Sequence, residues 1–206
     1  MKAKAIFAAG LLMAAAAAQS TAQTVYSVNA VGFVNVVIPP GFSILANPLE
    51  GATNTVAALF PSVPNTSVIF KFTGSTFSQN TYFLGWDFPN QTLVPGEAFF
   101  IKNAGAAFTN TFVGNVKQGV LTTSLSAGFS MVSSQVPQQG LVSTDLGLPI
   151  SNTETVFTYN NAANRYDIFT FFLGWDPVEP TIQVGQGFFV KKNSPGSWSR
   201  TFSVNQ

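Results

Sequence analysis

The residues with the clearest potential for chemistry occur in a segment that the chain contains twice. Phe-Leu-Gly-Trp-Asp appears in two places, and its Trp and Asp residues are Trp86, Asp87, Trp175 and Asp176. In one interpretation the indoles are stacking platforms for sugar rings and the carboxylates accept hydrogen bonds from the hydroxyl groups beside them. This interpretation predicts a carbohydrate or cell-surface binding module.

The same segment also has a purely structural interpretation, in which each Trp fills the core and each Asp opens a turn. Pro89 and Pro177 follow just beyond and favour a turn. Two carboxylates in one cleft would suit a glycosidase at a separation of about 5 to 9.5 Å. Few other ionisable residues are present to shape an active site, so we expect no enzyme and assign no catalytic residue.

Composition narrows the chemistry further. The 206 residues include no Cys and no His, which excludes thiolate catalysis, His-dependent nucleophiles and the usual zinc, copper, haem-iron and iron–sulfur ligand sets. The formal net charge of +1 provides no basic field for nucleic acid. We expect no metal, no cofactor and no nucleic-acid partner.

The amino-terminal residues have the layout of a secretory signal peptide. Lys2 and Lys4 precede an apolar stretch, Ala5–Ala18, and small residues such as Ser20 and Ala22 follow. The stretch is shorter than the ~20 residues that span a bilayer. We predict a signal peptide at 1–22 and a mature protein without a membrane span, located in the periplasm, outside the cell or at its surface.

Matches in register show that the rest of the chain contains one unit twice. The matching pairs are Gly41-Phe42-Ser43 with Gly128-Phe129-Ser130, Asn65-Thr66 with Asn152-Thr153, the two Trp-Asp segments, and Gly96–Lys102 with Gly185–Lys191. No Pro/Ser-rich linker separates the copies. We predict a single β domain at 23–206, built from repeats at about 24–115 and 116–206.

Short apolar stretches bounded by Gly, Pro, Asn and Ser predict strands and turns. The runs Ala98–Ile101 and Gly187–Val190 are continuously apolar, which is typical of strands covered on both faces. The helical candidate is Thr55–Phe60, with Asn54 as its cap. The expected fold is all-β, a β-sandwich or partly closed barrel with about ten to twelve strands and at most one or two short helical turns.

Two further residue patterns carry expectations. Phe accounts for 21 of the 206 residues, and in strands it more often fills a core than a surface, so we expect an aromatic core to replace disulfides. Glu97 has Gln186 in its place in the second copy, which predicts no duty common to both repeats.

The strand sequence at Thr24–Asn29 recurs at Thr111–Asn115 and again at Thr201–Asn205. Two repeats therefore carry three versions of one strand. The last version either pairs with the first inside one molecule or adds to the edge of a neighbouring molecule.

Several segments carry a resemblance: Ser27–Val36, Pro40–Ser43, Ala46–Leu49 and Pro95–Phe100. With them the chain resembles a group of uncharacterised secreted two-repeat β proteins of environmental Gram-negative bacteria. The resemblance implies export but no activity, and it supplies no functional residue.

Three classes of function follow from these observations. The first is an exported structural or self-associating protein of the cell envelope or the extracellular space, whose partner is itself. The second is a module that binds cell-surface polysaccharide through Trp86, Asp87, Trp175 and Asp176. The third is an outer-membrane β-barrel, against which the continuous Phe runs and 12 prolines argue.

Overall fold

The fold is all-β, as the sequence predicts. A computed structural model describes residues 30–204, and 51% of these residues are in strands and 2% are in a helix. The elements are β1 Val31–Ile38, β2 Gly41–Ala46, α1 Val56–Leu59, β3 Val68–Phe72, β4 Phe77–Thr81, β5 Ala98–Asn103, β6 Phe108–Asn115, β7 Gly119–Leu125, β8 Gly128–Val132, β9 Gly140–Leu141, β10 Glu154–Asn160, β11 Arg165–Phe171, β12 Trp175–Asp176, β13 Thr181–Ile182, β14 Phe188–Lys192 and β15 Gly196–Phe202.

Two details differ from the sequence expectations. The described residues form fifteen strands rather than ten to twelve, because the loops of the second half add three strands of two residues each. The cap of α1 is Thr55, whose hydroxyl accepts from the Ala58 N–H at 3.4 Å, and not Asn54. The Asn54 side chain is buried and instead accepts hydrogen bonds from Asn47 and the Gly51 N–H.

Two larger sheets form the body of the molecule, one in the first half (residues 30–115) and one in the second half (residues 116–204). The first sheet has the order β2-β5-β3-β4, and the second has the order β8-β14-β10-β11-β12. All pairings are antiparallel. The two orders match strand for strand, except that the second half adds β12. Both sheets remain open within the described residues, so the sandwich and not the partly closed barrel describes this chain.

Each central strand is covered on both faces, as its continuous apolar sequence predicts. Phe99 of β5 packs into the core of the first half, while the next residue, Phe100, points into a different cluster. Phe188 and Phe189 of β14 divide in the same way. The third cluster contains residues of both halves, so the two sheets face each other across a layer of aromatic rings.

The two halves are also joined by backbone hydrogen bonds at matching positions. The Ala46 N–H donates to the Gly185 carbonyl at 2.9 Å, and the Ser133 N–H donates to the Gly96 carbonyl at 3.1 Å. Where Gly187 of the second half meets the first half, an added Cβ would collide with the Cβ of Ala98 and lie 2.9 Å from the Leu45 carbonyl oxygen. A glycine is therefore required at this position.

A two-stranded ribbon completes each half: β1 pairs with β6, and β7 pairs with β15. Thr201 and Phe202 lie opposite Val120 and Gly119, so the described end of the chain pairs inside its own half. Its expected partner, Thr24–Asn29, and the predicted signal peptide lie outside the described residues.

The expectation that Glu97 has no duty in common with Gln186 is wrong. A Glu97 carboxylate oxygen accepts from the Val94 N–H at 3.2 Å, and the Gln186 amide oxygen accepts from the Gln183 N–H at 2.9 Å. Both side chains close the turn that leads into a central strand. The duty needs only an acceptor oxygen, which Glu and Gln share.

Candidate functional site

The two Phe-Leu-Gly-Trp-Asp segments form the same turn, and the repeated Asn-Thr pairs hold it in place. The Leu84 N–H donates to the Asn65 side-chain oxygen at 3.0 Å, and the Leu173 N–H donates to that of Asn152 at 2.8 Å. Both leucines have a positive φ, 61° for Leu84 and 59° for Leu173. This backbone conformation costs a non-glycine residue about 1–2 kcal/mol, so each turn stores strain.

Neither tryptophan presents an open indole to solvent. Trp86 is 8% exposed, belongs to the core of the first half, and donates its indole N–H to the Phe60 carbonyl at 2.8 Å. Trp175 is half-buried against the core of the second half and donates to the Ser143 hydroxyl at 3.3 Å. This geometry favours the structural interpretation, and sugar binding by these residues stays a prediction.

The side chains that each turn does expose are its Phe and Leu. Leu84 and Leu173 are 81% and 82% exposed, and Phe83 and Phe172 are 66% and 63% exposed. Asp87 and Asp176 are also exposed. We call residues 83–84 and 172–173 the two Phe-Leu tips. Each tip is an apolar pair on a turn that hydrogen bonds fix to the body.

A second candidate site lies between the two halves, where the aromatic layer opens to solvent. The larger opening has a volume of about 480 Å³ and is lined by Phe72, Gly74, Ser75, Phe77, Phe129, Phe157, Tyr166 and Phe189. We call it the Phe129 cleft. Phe189 forms its buried floor, while Phe77 and Tyr166 are each 40% exposed and Phe129 is 45% exposed.

A smaller opening of about 270 Å³ is the counterpart of the Phe129 cleft. Its lining is Phe42, Phe70, Phe77, Phe100, Tyr159 and Tyr166. Each of these rings occupies the position that a ring of the Phe129 cleft holds in the other half of the chain. We call this opening the Phe42 cleft. The two clefts are therefore lined by equivalent sets of rings, because the two repeats place them at corresponding positions.

The two hairpins that flank these clefts each carry one cross-strand pair of rings. Phe72 and Phe77 are paired with ring centroids 5.2 Å apart, and Tyr159 and Tyr166 are paired at 5.4 Å. The Tyr159 hydroxyl donates to the Asn164 side-chain oxygen at 2.6 Å. Burial, with a contribution from Tyr159, raises the pKa of Tyr166, so this phenol is neutral at neutral pH.

One ammonium group lies over a lining ring of each cleft. Lys191 Nζ lies 6.0 Å from the centroid of the Phe129 ring, and Lys102 Nζ lies 5.8 Å from that of Phe42. Both lysines are exposed at the ends of corresponding central strands. Among residues 30–204, neither ammonium group has a carboxylate within ion-pair distance. Each cleft therefore has apolar walls, and one ring of each wall has an ammonium group without a carboxylate partner beside it.

Two carboxylates elsewhere have lowered pKa values. Burial raises the pKa of Glu154, but hydrogen bonds from Lys192, Asn193 and Ser151 outweigh it and lower the pKa. Burial also raises the pKa of Glu179. Four hydrogen bonds from Ser143 and Thr144 outweigh burial, so the pKa is lowered. Both carboxylates stabilise the fold and lie apart from the clefts.

Sequence reasoning missed the clefts, although the repeat contained a signal for them. Phe77 and Tyr166 line both clefts, and they lie in the stretch where the two copies differ in length by two residues. The longer β10–β11 hairpin adds the pair Asn160 and Arg165 beyond its tyrosines. An alignment that places this difference at the hairpin end brings Phe77 and Tyr166 into register.

Among the described residues, no group of three or more Asp, Glu, His or Cys side chains is placed to hold a metal ion. Within residues 30–204, no helix has the length and apolar character needed to cross a membrane. Comparisons with protein-family models, with curated proteins and with solved structures found no match.

Proposed function

We propose that this chain is an exported structural protein without catalytic activity that associates with copies of itself in the cell envelope or outside the cell. The observation that carries the proposal is the pair of Phe-Leu tips. Each tip holds two large apolar side chains in water on a backbone that is strained and hydrogen-bonded in place. Exposed apolar groups that a fold holds rigidly are typical of a contact surface.

The two tips have the same residues, and this sequence identity supports the proposal, because packing inside the fold does not require it. Phe88, an exposed residue just after the first turn, has Pro177 in its place in the second half. By contrast, the exposed Phe and Leu of the tips are the same in both halves. The fold fixes the turn through the indole, the Asn side chain and the backbone hydrogen bond from the Phe N–H to the Gly carbonyl, and the tip side chains add little to that.

Two equal tips on one chain make the association multivalent. A tip that contacts a different surface on the next molecule forms a head-to-tail contact, and such contacts propagate into filaments or lattices unless they close into a ring. A second tip on the same chain raises the apparent affinity without any new kind of contact. An assembly of this type suits a protein whose sequence has no His, no Cys and few charges.

The proposal is tested by replacing Phe83 and Phe172 with Ser in the mature protein and measuring the sedimentation coefficient over a range of concentrations. We expect the native protein to form larger species as concentration rises and the double variant to remain smaller. Phe33→Ser is the matched control, because Phe33 is 72% exposed on β1 and belongs to neither tip. Association that survives the double substitution, or that Phe33→Ser removes instead, would contradict the proposal.

Carbohydrate binding is the second candidate function, and the half-buried Trp175 beside the exposed Asp176 favours it. Trp175 lies on β12, an edge strand of the second sheet, and is less buried than its counterpart Trp86, which is 8% exposed. Titration with oligosaccharides of the host envelope, followed by tryptophan fluorescence, tests this candidate. A saturable change that Trp175→Phe weakens and Asp176→Asn abolishes would support it, and a flat titration would exclude it for those sugars.

A further inference from the structure

We propose that the Phe129 cleft is a binding site for a small aromatic anion, a compound with a flat ring system and one carboxylate or sulfonate group. No residue of this cleft belongs to the Phe-Leu tips, so the proposal is independent of self-association. It rests on three properties of the cleft: its size, the exposure of its rings and the position of Lys191.

The size and lining suit a small molecule. Ligand pockets are typically apolar clefts of about 300–1,000 Å³ with a few placed polar groups, and the Phe129 cleft has about 480 Å³. Its walls are rings from both halves, held by contacts such as Phe129 with Phe157 at 5.6 Å and Phe129 with Phe189 at 6.2 Å. The cleft is therefore already formed without a ligand.

The rings that line the opening are incompletely covered by the fold. Phe129, Phe77 and Tyr166 each leave 40% or more of their surface in water, although the same aromatic layer buries Phe100 and Phe189. Edge-to-face and offset contacts give an aromatic ligand an additional attraction over an aliphatic one of equal area. Open ring surface on a rigid floor therefore favours a flat aromatic body.

Lys191 selects the charge of the ligand. Its ammonium group lies above the Phe129 ring and has no carboxylate partner among the described residues. Lys191 itself does not line the cleft, but its Nζ lies 6.0 Å from the centroid of the Phe129 ring that does, so we expect it to attract an anionic group on a ligand that packs against Phe129. The neutral Tyr166 phenol is a further donor in the lining. The Phe42 cleft with Lys102 repeats the arrangement in a smaller volume, so it is the weaker site.

The test uses two fluorescent probes with one ring system, 1-anilinonaphthalene-8-sulfonate and the uncharged N-phenyl-1-naphthylamine. We expect both to bind the folded protein saturably. Phe129→Ala should weaken both by about tenfold, because the ligand loses a ring wall. Lys191→Gln should weaken only the sulfonate probe, by about two- to fivefold, since a partly exposed ion pair contributes modestly.

Controls separate this site from other surfaces and from unfolding. Phe33→Ala removes an equally exposed ring elsewhere and should leave both affinities unchanged. Cooperative urea unfolding of each variant shows that it is folded, and Phe129→Leu provides a milder substitution if the Ala variant is not. An equal loss of both probes in Lys191→Gln overturns the anion preference, and unchanged binding in Phe129→Ala and Phe129→Leu overturns the site.

Sedimentation of the same variants distinguishes the ligand from a neighbouring molecule. If Phe129→Ala lowers the association state while Phe83→Ser with Phe172→Ser restores access of the probes, a tip of another copy occupies the cleft and the small-molecule proposal is overturned. Unchanged association in Phe129→Ala, together with weakened probe binding, supports it. If the native protein does not self-associate, the proposed function fails, but probe binding still decides whether the Phe129 cleft is a ligand site.

Discussion

At one pair of corresponding positions, the two halves of the molecule have different buried polar side chains. Where the end of one central strand meets the start of its neighbour, the first half has Ser67 and Asn103, both buried, and the second half has Glu154 and Lys192, a buried ion pair. The positions correspond, because Asn103 pairs with Gly41 and Lys192 pairs with Gly128.

Both solutions satisfy one equivalent backbone group, the N–H of Ala104 in the first half and of Asn193 in the second, while the carbonyls that accept hydrogen bonds differ. Asn103 donates to the Ile38 and Ala106 carbonyls, and Lys192 donates to the Pro149 carbonyl at 2.7 Å. The Ser67 hydroxyl accepts from the Ala104 N–H, and the Glu154 carboxylate accepts from the Asn193 N–H at 3.0 Å. The comparison teaches that the fold requires a donor and an acceptor at this point and does not require charge.

The largest expected effect is the loss of one partner of the buried ion pair. Glu154→Gln leaves the Lys192 ammonium group buried without its counter-ion, which typically costs about 3–5 kcal/mol of unfolding free energy. Urea denaturation at neutral pH measures the loss.

A transplant from the first half is the matched control for this prediction. Glu154→Ser combined with Lys192→Asn installs the pair that the first half uses and should recover most of the lost stability. A double variant that is less stable than Glu154→Gln would show that the two positions are not equivalent.

The next effect concerns the contact between Gly187 and the first half. Gly187→Ala places a methyl group against the Cβ of Ala98 and the Leu45 carbonyl, and such overpacking typically costs about 1–3 kcal/mol. Gly174→Ala is the control, because nothing lies within 4 Å of its added Cβ. Thermal melts of the two variants should differ clearly, and similar melting temperatures would disprove a tight junction.

Acid should destabilise the second half first. Glu154 and Glu179 have pKa values below the ordinary value of 4.5 in the folded protein. A lowered folded pKa contributes stability that is fully present above the ordinary value and is lost as pH falls through the folded pKa.

Glu179→Gln measures part of this acid sensitivity. At neutral pH it should cost about 1–3 kcal/mol, because an amide nitrogen replaces one oxygen that accepts from Ser143 or Thr144. The variant should also lose less stability than the native protein between pH 5 and pH 3 in urea titrations. An unchanged pH slope would remove Glu179 from the acid response.

These comparisons also show which features sequence alone could predict. The continuous apolar runs around Phe99 and Phe188 predict strands buried on both faces, because a strand with no polar face has no side to turn to water. The prediction of an aromatic core was right for Phe60 and Phe112 but left out the open rings of the clefts. Exposure there depends on how the two sheets approach each other, which strand periodicity does not contain.

Side chains whose duty depends on a distant partner were equally beyond sequence reasoning. The sequence pattern does not indicate the role of Trp198. This residue is buried and donates its indole N–H to the Leu146 carbonyl at 2.9 Å, 52 residues away. The sequence allowed both a core and a binding interpretation for the indoles of the Phe-Leu-Gly-Trp-Asp segment, but it did not indicate that the exposed residues are Phe and Leu. The leucine of each turn has a positive φ and is exposed together with its phenylalanine, and the residue pattern does not contain either feature.

The smallest expected effect separates the two duties of Glu97. Its carboxylate accepts from the Val94 N–H and forms an ion pair with Lys71 at 2.9 Å, whereas Gln186 closes the same turn of the second half, where Thr158 takes the place of Lys71. Glu97→Gln keeps an acceptor for the turn and removes only the ion pair, which is partly exposed. We expect a loss below about 1 kcal/mol that shrinks in high salt. Glu97→Leu removes the acceptor as well as the ion pair, so it should cost more, and the additional loss relative to Glu97→Gln should be insensitive to salt. If both variants lose the same free energy of unfolding in low-salt urea titrations, the turn does not depend on this oxygen, and the correspondence between Glu97 and Gln186 would be one of position without a shared duty.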